Sequence, residues 1–196
     1  ADIEPMGVFG QTTPTMLGHE VIISRTGFSG ERGYEVYAAG ENIGQIWDAI
    51  LEAGKDAGVM PASFASLDKV RLEFGLLFYP YDMNENTTPW EINLPWCVGK
   101  DKDFRGKDAC MAAKGQENIK LVGLICGLDD AAPEASKLFA NGEEVGVINC
   151  PGYSHRMGAS IALGHVKPGN DAPGTVLEAK AEDGTTFTAT VTAMPM

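Results

Sequence analysis

A chain of 196 residues with 44% hydrophobic and 21% charged residues can bury a sizeable core and has room for one or two domains. Its formal net charge of −12 argues against a surface for nucleic acid or anionic membrane and favours a small-molecule or cationic partner. No apolar run approaches the roughly 20 residues that cross a bilayer, and the opening ADIEPMGVFG lacks the basic and apolar regions of a signal peptide. The chain starts at Ala1 without an initiator Met, which leaves processing, trimming or a fragment open. Cys97, Cys110, Cys126 and Cys150 form no C-x-x-C pair and no zinc spacing with a histidine. They read as free, mostly buried thiols in a reducing compartment, so the cytoplasm is the expected location and no metal site is expected.

Residues 1–19 are irregular, broken by Gly7, Gly10, Pro14 and Gly18. His19 to Ser24 is apolar and β-branched, which predicts a strand, and Tyr34 to Ala38 predicts its return. Between them Gly27, Gly30 and Gly33 have a G-x-x-G-x-x-G spacing, which suits a hairpin connection and is not a dinucleotide fingerprint. On the return strand Glu35 and Tyr37 share one face and Tyr34, Val36 and Ala38 the other. Glu35 is then either a solvated strand carboxylate or a ligand anchor. Residues 42–57 predict a helix, with Ile43, Ile46, Trp47, Ile50 and Leu51 on one face and Gly58 at its end, which places Trp47 in the core. Ser63 can cap a second helix whose apolar stripe is Phe64, Leu67, Val70 and Phe74. Arg71 beside that stripe calls for an anion, and Asp68 stands three residues back.

The stretch from Ser66 to Trp96 organises the rest. After the helix come a polar turn over 82–88 and a segment over 89–96 read as extended because of Pro89 and Pro95. Tyr79, Tyr81, Trp90 and Trp96 either stack on a flat heterocycle or fill a core. Their company with Glu85, Asn86 and Glu91 favours a pocket for a polar ring, in which Glu91 would accept a paired N–H edge. Residues 100–114 predict a charged turn and a short helix. Beyond residue 117 the texture changes to short strands over 120–128, 144–149, 160–166, 175–181 and 185–194, with hairpin pairs at Asn141-Gly142 and Asp183-Gly184. The fold class is therefore α+β: an α/β layer over 1–117 followed by a small antiparallel β-barrel over 118–196. No G-x-S-x-G, P-loop or H-E-x-x-H motif is present, and His19, His155 and His165 are too scattered to indicate a hydrolytic triad. His165, inside an apolar strand, reads as structural.

Five stretches in order resemble the glycine cleavage T-protein (aminomethyltransferase) superfamily, whose members include folate-dependent demethylases. They are Arg25 to Glu35 (RTGFSGERGYE), Arg71 to Tyr79 (RLEFGLLFY), Glu85 to Trp96 (ENTTPWEINLPW), Asp103 to Lys107 (DFRGK) and Gly152 to Leu163. The resemblance spans nearly the whole chain but only the C-terminal half of the family pattern. It implies tetrahydrofolate as cofactor and one-carbon transfer from a nitrogen, oxygen or sulfur of a small donor. It further implies that Glu35 holds the pterin edge, that Arg71 meets the folate tail and that Tyr79 lines the ring pocket; Glu91 and Trp96, from the reading of the residues above, complete the expected cofactor-binding set. A lipoyl carrier protein and the family's N-terminal half are the implied partners. The family's catalytic Asp belongs to that N-terminal half, so no catalytic residue is assigned here and this stretch alone is not expected to be a competent transferase. Leu67 stands where the T-protein pattern has Arg, and Lys102 to Lys107 departs from the K-G-C motif of the iron–sulfur-assembly branch. The implied alternatives are a folate-dependent N-, O- or S-demethylase and, from another class, a non-catalytic folate-binding module.

Overall fold

Residues 2–196 are described in a computed structural model. They divide into two compact units, Ala1–Asp68 and Lys69–Met196, with the division inside a helix.

In the first unit the glycine-rich stretch does join two antiparallel strands. β1 (Gln11–Thr12), β4 (Ile22–Ser24) and β5 (Glu35–Tyr37) form a sheet in the order β1-β4-β5, and β2 (Thr15–Met16) pairs with β3 (His19–Glu20). The register places Ile22 opposite Tyr37, Ile23 opposite Val36 and Ser24 opposite Glu35. Residues directly opposite share a face. One face of the sheet therefore carries Ile23 and Val36, and the other carries Ile22, Ser24, Glu35 and Tyr37. The first face packs on helix α1 (Gly40–Gly54), where Val21, Ile23 and Ile46 are buried together. Gly58, at φ 77°, ends the following 3-10 turn in the left-handed region that glycine tolerates. The expectation that Trp47 is core is corrected: it is 52% exposed, and Ile43 and Ile50 on the same face are exposed too. Strands of two or three residues offer too little surface to cover more of the stripe than Ile46.

Helix α2 (Phe64–Glu73) begins where the Ser63 hydroxyl accepts from the Ser66 amide at 3.1 Å, the expected cap. Its expected apolar stripe is not what it buries. Phe64 and Val70 are exposed, whereas Arg71, Leu72 and Glu73 in the last turn are buried. Residues 75–94 then form turns. The segment read as extended is also turns, closing with a 3-10 turn at Pro95–Cys97, because Glu91 folds back on Thr88 as the glutamate of a capping box does. The Glu91 carboxylate accepts from the Thr88 amide at 2.8 Å while the Glu91 amide donates to the Thr88 carbonyl at 3.1 Å. Helix α3 (Lys107–Ala112) follows.

Six strands close the barrel: β6 (Lys120–Cys126), β7 (Lys137–Ala140), β8 (Glu143–Ser154), β9 (Ala159–Val166), β10 (Val176–Lys180) and β11 (Thr186–Thr192), in the order β10-β11-β6-β9-β8-β7. Every pairing is antiparallel. Asn141 and Gly142, at φ 51° and 83°, turn the β7–β8 hairpin as an Asn-Gly pair does. Alternation sorts β9 cleanly: Ala162 and Val166 point into the barrel core with Leu124, Ile148 and Leu177, whereas Ile161 and Leu163 join Leu72, Ile92, Leu121 and Cys150 in a second core outside it. The second core fastens residues 72–94 to the barrel wall. A Cβ at Gly152 would stand 2.7 Å from Leu72 Cδ2, so the bare backbone there admits Leu72. Backbone bonds complete the seam, from the Leu121 amide to the Glu91 carbonyl at 2.8 Å and from the Met196 amide to the Glu73 carbonyl at 2.7 Å. In β8 the register passes from Ile148 opposite Gly164 to Cys150 opposite Leu163, which makes Asn149 the extra residue of a β-bulge.

Candidate functional site

Glu35 stands exposed on the open face of the three-stranded sheet, with the exposed Ile22 and Tyr37 as apolar company. Its Oε2 accepts from the Thr26 hydroxyl, which is held in turn 2.6 Å from the Ser24 hydroxyl. Among the described residues its Oε1 has no hydrogen-bond partner. A carboxylate oriented by a hydroxyl and open at its second oxygen can accept a donor edge from a ligand.

The remaining expected residues lie in the second unit and separate into exposed and internal groups. Tyr79 is 58% exposed, and its hydroxyl donates to Glu85 Oε2 at 3.1 Å. Trp96 is 73% exposed at the edge of an open cleft of about 1070 Å³. Trp90 lines this cleft with Asn93, Met111, Lys100, Lys114 and Lys120. Trp90 is anchored by its indole N–H to the Cys110 carbonyl at 2.7 Å, and Lys114 Nζ lies 5.4 Å from its ring centroid. Asp101 and Glu117 line it too, with Glu117 paired to Lys120 at 3.6 Å, so the cleft offers aromatic faces beside charges of both signs, a setting for a flat, polar ligand.

Arg71 and Glu91 are not on that surface. Arg71 is buried, and its Nη1 donates to Asp82 Oδ2 at 2.7 Å and to the Leu76 carbonyl at 3.0 Å, with the Phe78 ring 5.6 Å from the guanidinium. A cation this far from water needs an internal anion, and Asp82 supplies it within the loop that carries Tyr79. The same Asp82 oxygen accepts from the Phe78 amide at 2.9 Å. Glu91 is buried as well, and its oxygens accept from the Thr88 amide and hydroxyl and from the Asn118 amide at 3.2 Å. Those donors engage both of its oxygens inside the protein. Burial by itself would raise the Glu91 pKa, but the hydrogen bonds from Thr88, Asn118 and Ile119 outweigh it and hold the group below its ordinary 4.5.

The sequence reading missed a second buried carboxylate, Glu73. Its oxygens accept from the Ser154 hydroxyl at 2.5 Å and from Arg156 Nε at 2.9 Å, tying the end of α2 to the β8–β9 hairpin. Burial opposes ionisation here too, and the Ser154 and Arg156 hydrogen bonds with the Arg156 and His155 charges reverse it, so Glu73 is also lowered from 4.5. The only sequence signal was the Arg-Leu-Glu triplet, which does not name a partner 81 residues away in Ser154. Both glutamates are depressed in the folded state, so their stabilisation is present above 4.5 and is lost as pH falls through their folded values. Urea midpoints measured from about pH 6 to about pH 3 should therefore fall on the acid side, and less steeply for Glu73→Gln. Equal slopes for both proteins would exclude Glu73 from the acid transition.

Cys150 and Cys126 are pushed up to about 11 and about 12 by burial, so neither is a ready nucleophile. Among the described residues no group of His, Cys, Asp and Glu is arranged to hold a metal, and no helix is long and apolar enough to cross a membrane.

This architecture is a closed six-stranded antiparallel barrel preceded in the chain by helices and small sheets. Residues 2–102 match the family model described as GCVT N-terminal domain, and residues 120–196 match the glycine cleavage T-protein C-terminal barrel domain. The chain belongs to the glycine cleavage T-protein family. It is 38% identical to the heme-dependent oxidative N-demethylase gamma subunit of Ectopseudomonas mendocina, over 85% of this chain and 47% of that protein. It is 36% identical to the aminomethyltransferase of Halothermothrix orenii, over 88% of this chain and 49% of that protein. The fold is shared with glycine cleavage system aminomethyltransferase T from Bartonella henselae, at TM-score 0.86 and 24% identity over 100% of this chain and 54% of that one. The chain thus spans about half the length of the relatives it matches.

Proposed function

We propose that the chain is the C-terminal portion of a tetrahydrofolate-dependent one-carbon transferase, with aminomethyl transfer as its reaction. Kinship with aminomethyltransferases at 36% and 37% identity supports this reading. The observation that carries it is Glu35: an exposed carboxylate, oriented by Thr26 and open at Oε1, suits the paired N–H donors of a pterin edge. Tyr79 and Trp96 supply faces for flat rings, while Arg71 and Glu91 shape the segments that carry them. Bound folate would accept the one-carbon unit. The protein's part is to position folate and donor against each other, which is where such a transfer gains most of its rate.

Residues 1–117 are assigned to the folate-binding domain and 118–196 to the barrel, a division supported by the family matches ending at 102 and starting at 120. The partners in this reading are a small aminomethyl or methyl donor, a lipoyl carrier protein and the family's N-terminal half. The half-length match to relatives and the exposed stripe of Ile43, Trp47 and Ile50 support the last of these. The free thiols suit the cytoplasm.

In the full-length protein, Glu35→Ala should weaken tetrahydrofolate binding by about 1.5–3 kcal/mol, the worth of a charge-assisted hydrogen bond. An unchanged dissociation constant in a titration would remove Glu35 from the site. The N-demethylase subunit at 38% identity favours a second reading, folate-dependent demethylation. Turnover that requires a lipoyl carrier selects aminomethyl transfer; folate-coupled turnover of an N-methyl compound without the carrier selects the other.

A further inference from the structure

We propose that His165 and Asn149 are positioning residues by which the barrel holds the loop bearing Tyr79, and that protonation of His165 releases this loop. The proposal rests on the reading of Tyr79 as a ligand-facing residue.

Leu77 packs on the second core, and the polar groups of residues 76–82 are organised around Asp82. Its carboxylate takes the Phe78 amide and Arg71, and its amide returns to the Phe78 carbonyl at 2.9 Å. The barrel reaches two carbonyls of this loop. His165 Nε2 is 2.9 Å from the Asp82 carbonyl, and Asn149 Nδ2 donates to the Tyr81 carbonyl at 2.9 Å. Asn149 Nδ2 also lies 2.9 Å from His165 Nδ1. A carbonyl only accepts, so Nε2 carries the imidazole proton, and the amide of Asn149 must present nitrogen to Tyr81. Nδ1 is then the acceptor for the second Asn149 N–H. The chain Tyr81 carbonyl, Asn149, His165, Asp82 carbonyl therefore closes only with a neutral imidazole.

The bulge makes this possible. As the extra residue of β8, Asn149 is freed from the strict alternation of the strand and can aim at the loop. Placing a proton on Nδ1 sets an N–H against an N–H. Turning the Asn149 amide over would satisfy the imidazolium but would aim oxygen at the Tyr81 carbonyl. The first arrangement breaks the Asn149–His165 bond that aims both side chains at the loop, and the second breaks the bond to the Tyr81 carbonyl. Burial lowers the His165 pKa from 6.5, partly offset by the Asp82 carbonyl and by the charges of Asp82 and Glu91. Arg71 offsets the Asp82 charge through its ion pair. The register neighbours on β6 and β8, Leu121 and Val147, carry no charge, and Cys150 stays a neutral thiol. The penalty is absent above 6.5 and grows as pH falls below it.

The test uses hydrogen exchange on the full-length protein, corrected for intrinsic rates, with tetrahydrofolate titration in parallel. Protection of peptide 76–82 should fall about tenfold from about pH 7.5 to about pH 5.5, while the β6 peptide is unchanged. His165→Gln, which keeps an N–H donor but does not titrate, should flatten that dependence, and Asn149→Ala should loosen the loop already at the higher pH. The same pH dependence in wild type and His165→Gln overturns the proposal, as does a wild-type loop that does not respond. Folate affinity should follow the loop. A responding loop without folate binding at any pH sustains the positioning role and removes the folate reading; folate binding beside an unresponsive loop does the reverse.

Discussion

Asp82→Ala should lower the unfolding free energy of the second unit by about 3–5 kcal/mol, the cost of leaving a buried charge without its counter-ion. Arg71 and Asp82 are 2% and 0% exposed, so water does not reach the guanidinium when the carboxylate is removed. The loss is larger than that of one ion pair, because Asp82 also receives the Phe78 amide and so shapes the loop from Leu76 onward. Urea unfolding followed by the fluorescence of Trp90 and Trp96, in a Trp47→Phe background, measures it. Replacing both partners, Arg71→Met with Asp82→Leu, should recover much of the loss, since two apolar side chains leave no charge to desolvate. A loss below about 1 kcal/mol in the single variant would mean that Arg71 finds another anion or a route to water.

Leu163→Ala should cost about 2–5 kcal/mol, the range for a large-to-small change at a fully buried site. Leu163 is on the outer face of β9, in the core that joins the barrel to Leu72 and Ile92. Its loss should therefore act on the seam. The variant should expose residues 75–94 to proteolysis well before the barrel strands, whereas Leu124→Ala, inside the barrel, should destabilise the strands themselves. Equal proteolysis of the two variants would show that the segment and the barrel unfold as one cooperative body.

The barrel was legible because its signals are local. Strand alternation has a period of two, and Asn141-Gly142 meets its own turn requirement with no help from distant residues. Strand β7, just before that turn, was missed: KLFA is four residues long and too short to show a period. Helix α1 was legible for the same local reason, but the burial of its stripe was not. Periodicity identifies which residues share a face; it does not say how wide a surface that face meets. The turns over 88–94 did carry a signal, the T-x-x-E spacing of Thr88 and Glu91, which the two prolines obscured.

By itself the sequence determined the helices and most of the barrel strands, the alternation that puts Glu35 with Tyr37, and the five motifs that mark the family. Each depends on neighbours along the chain or on residue identity. Only the tertiary structure decided which polar groups stand exposed and which are buried against internal partners. Arg71 and Glu91 were expected to bind a ligand and Glu73 drew no notice, and all three are buried. Their partners Asp82, Ser154 and Asn118 lie 11, 81 and 27 residues away. The cost of desolvating a charge is large, and only a partner brought close by folding can offset it. A linear pattern has no term for that distance.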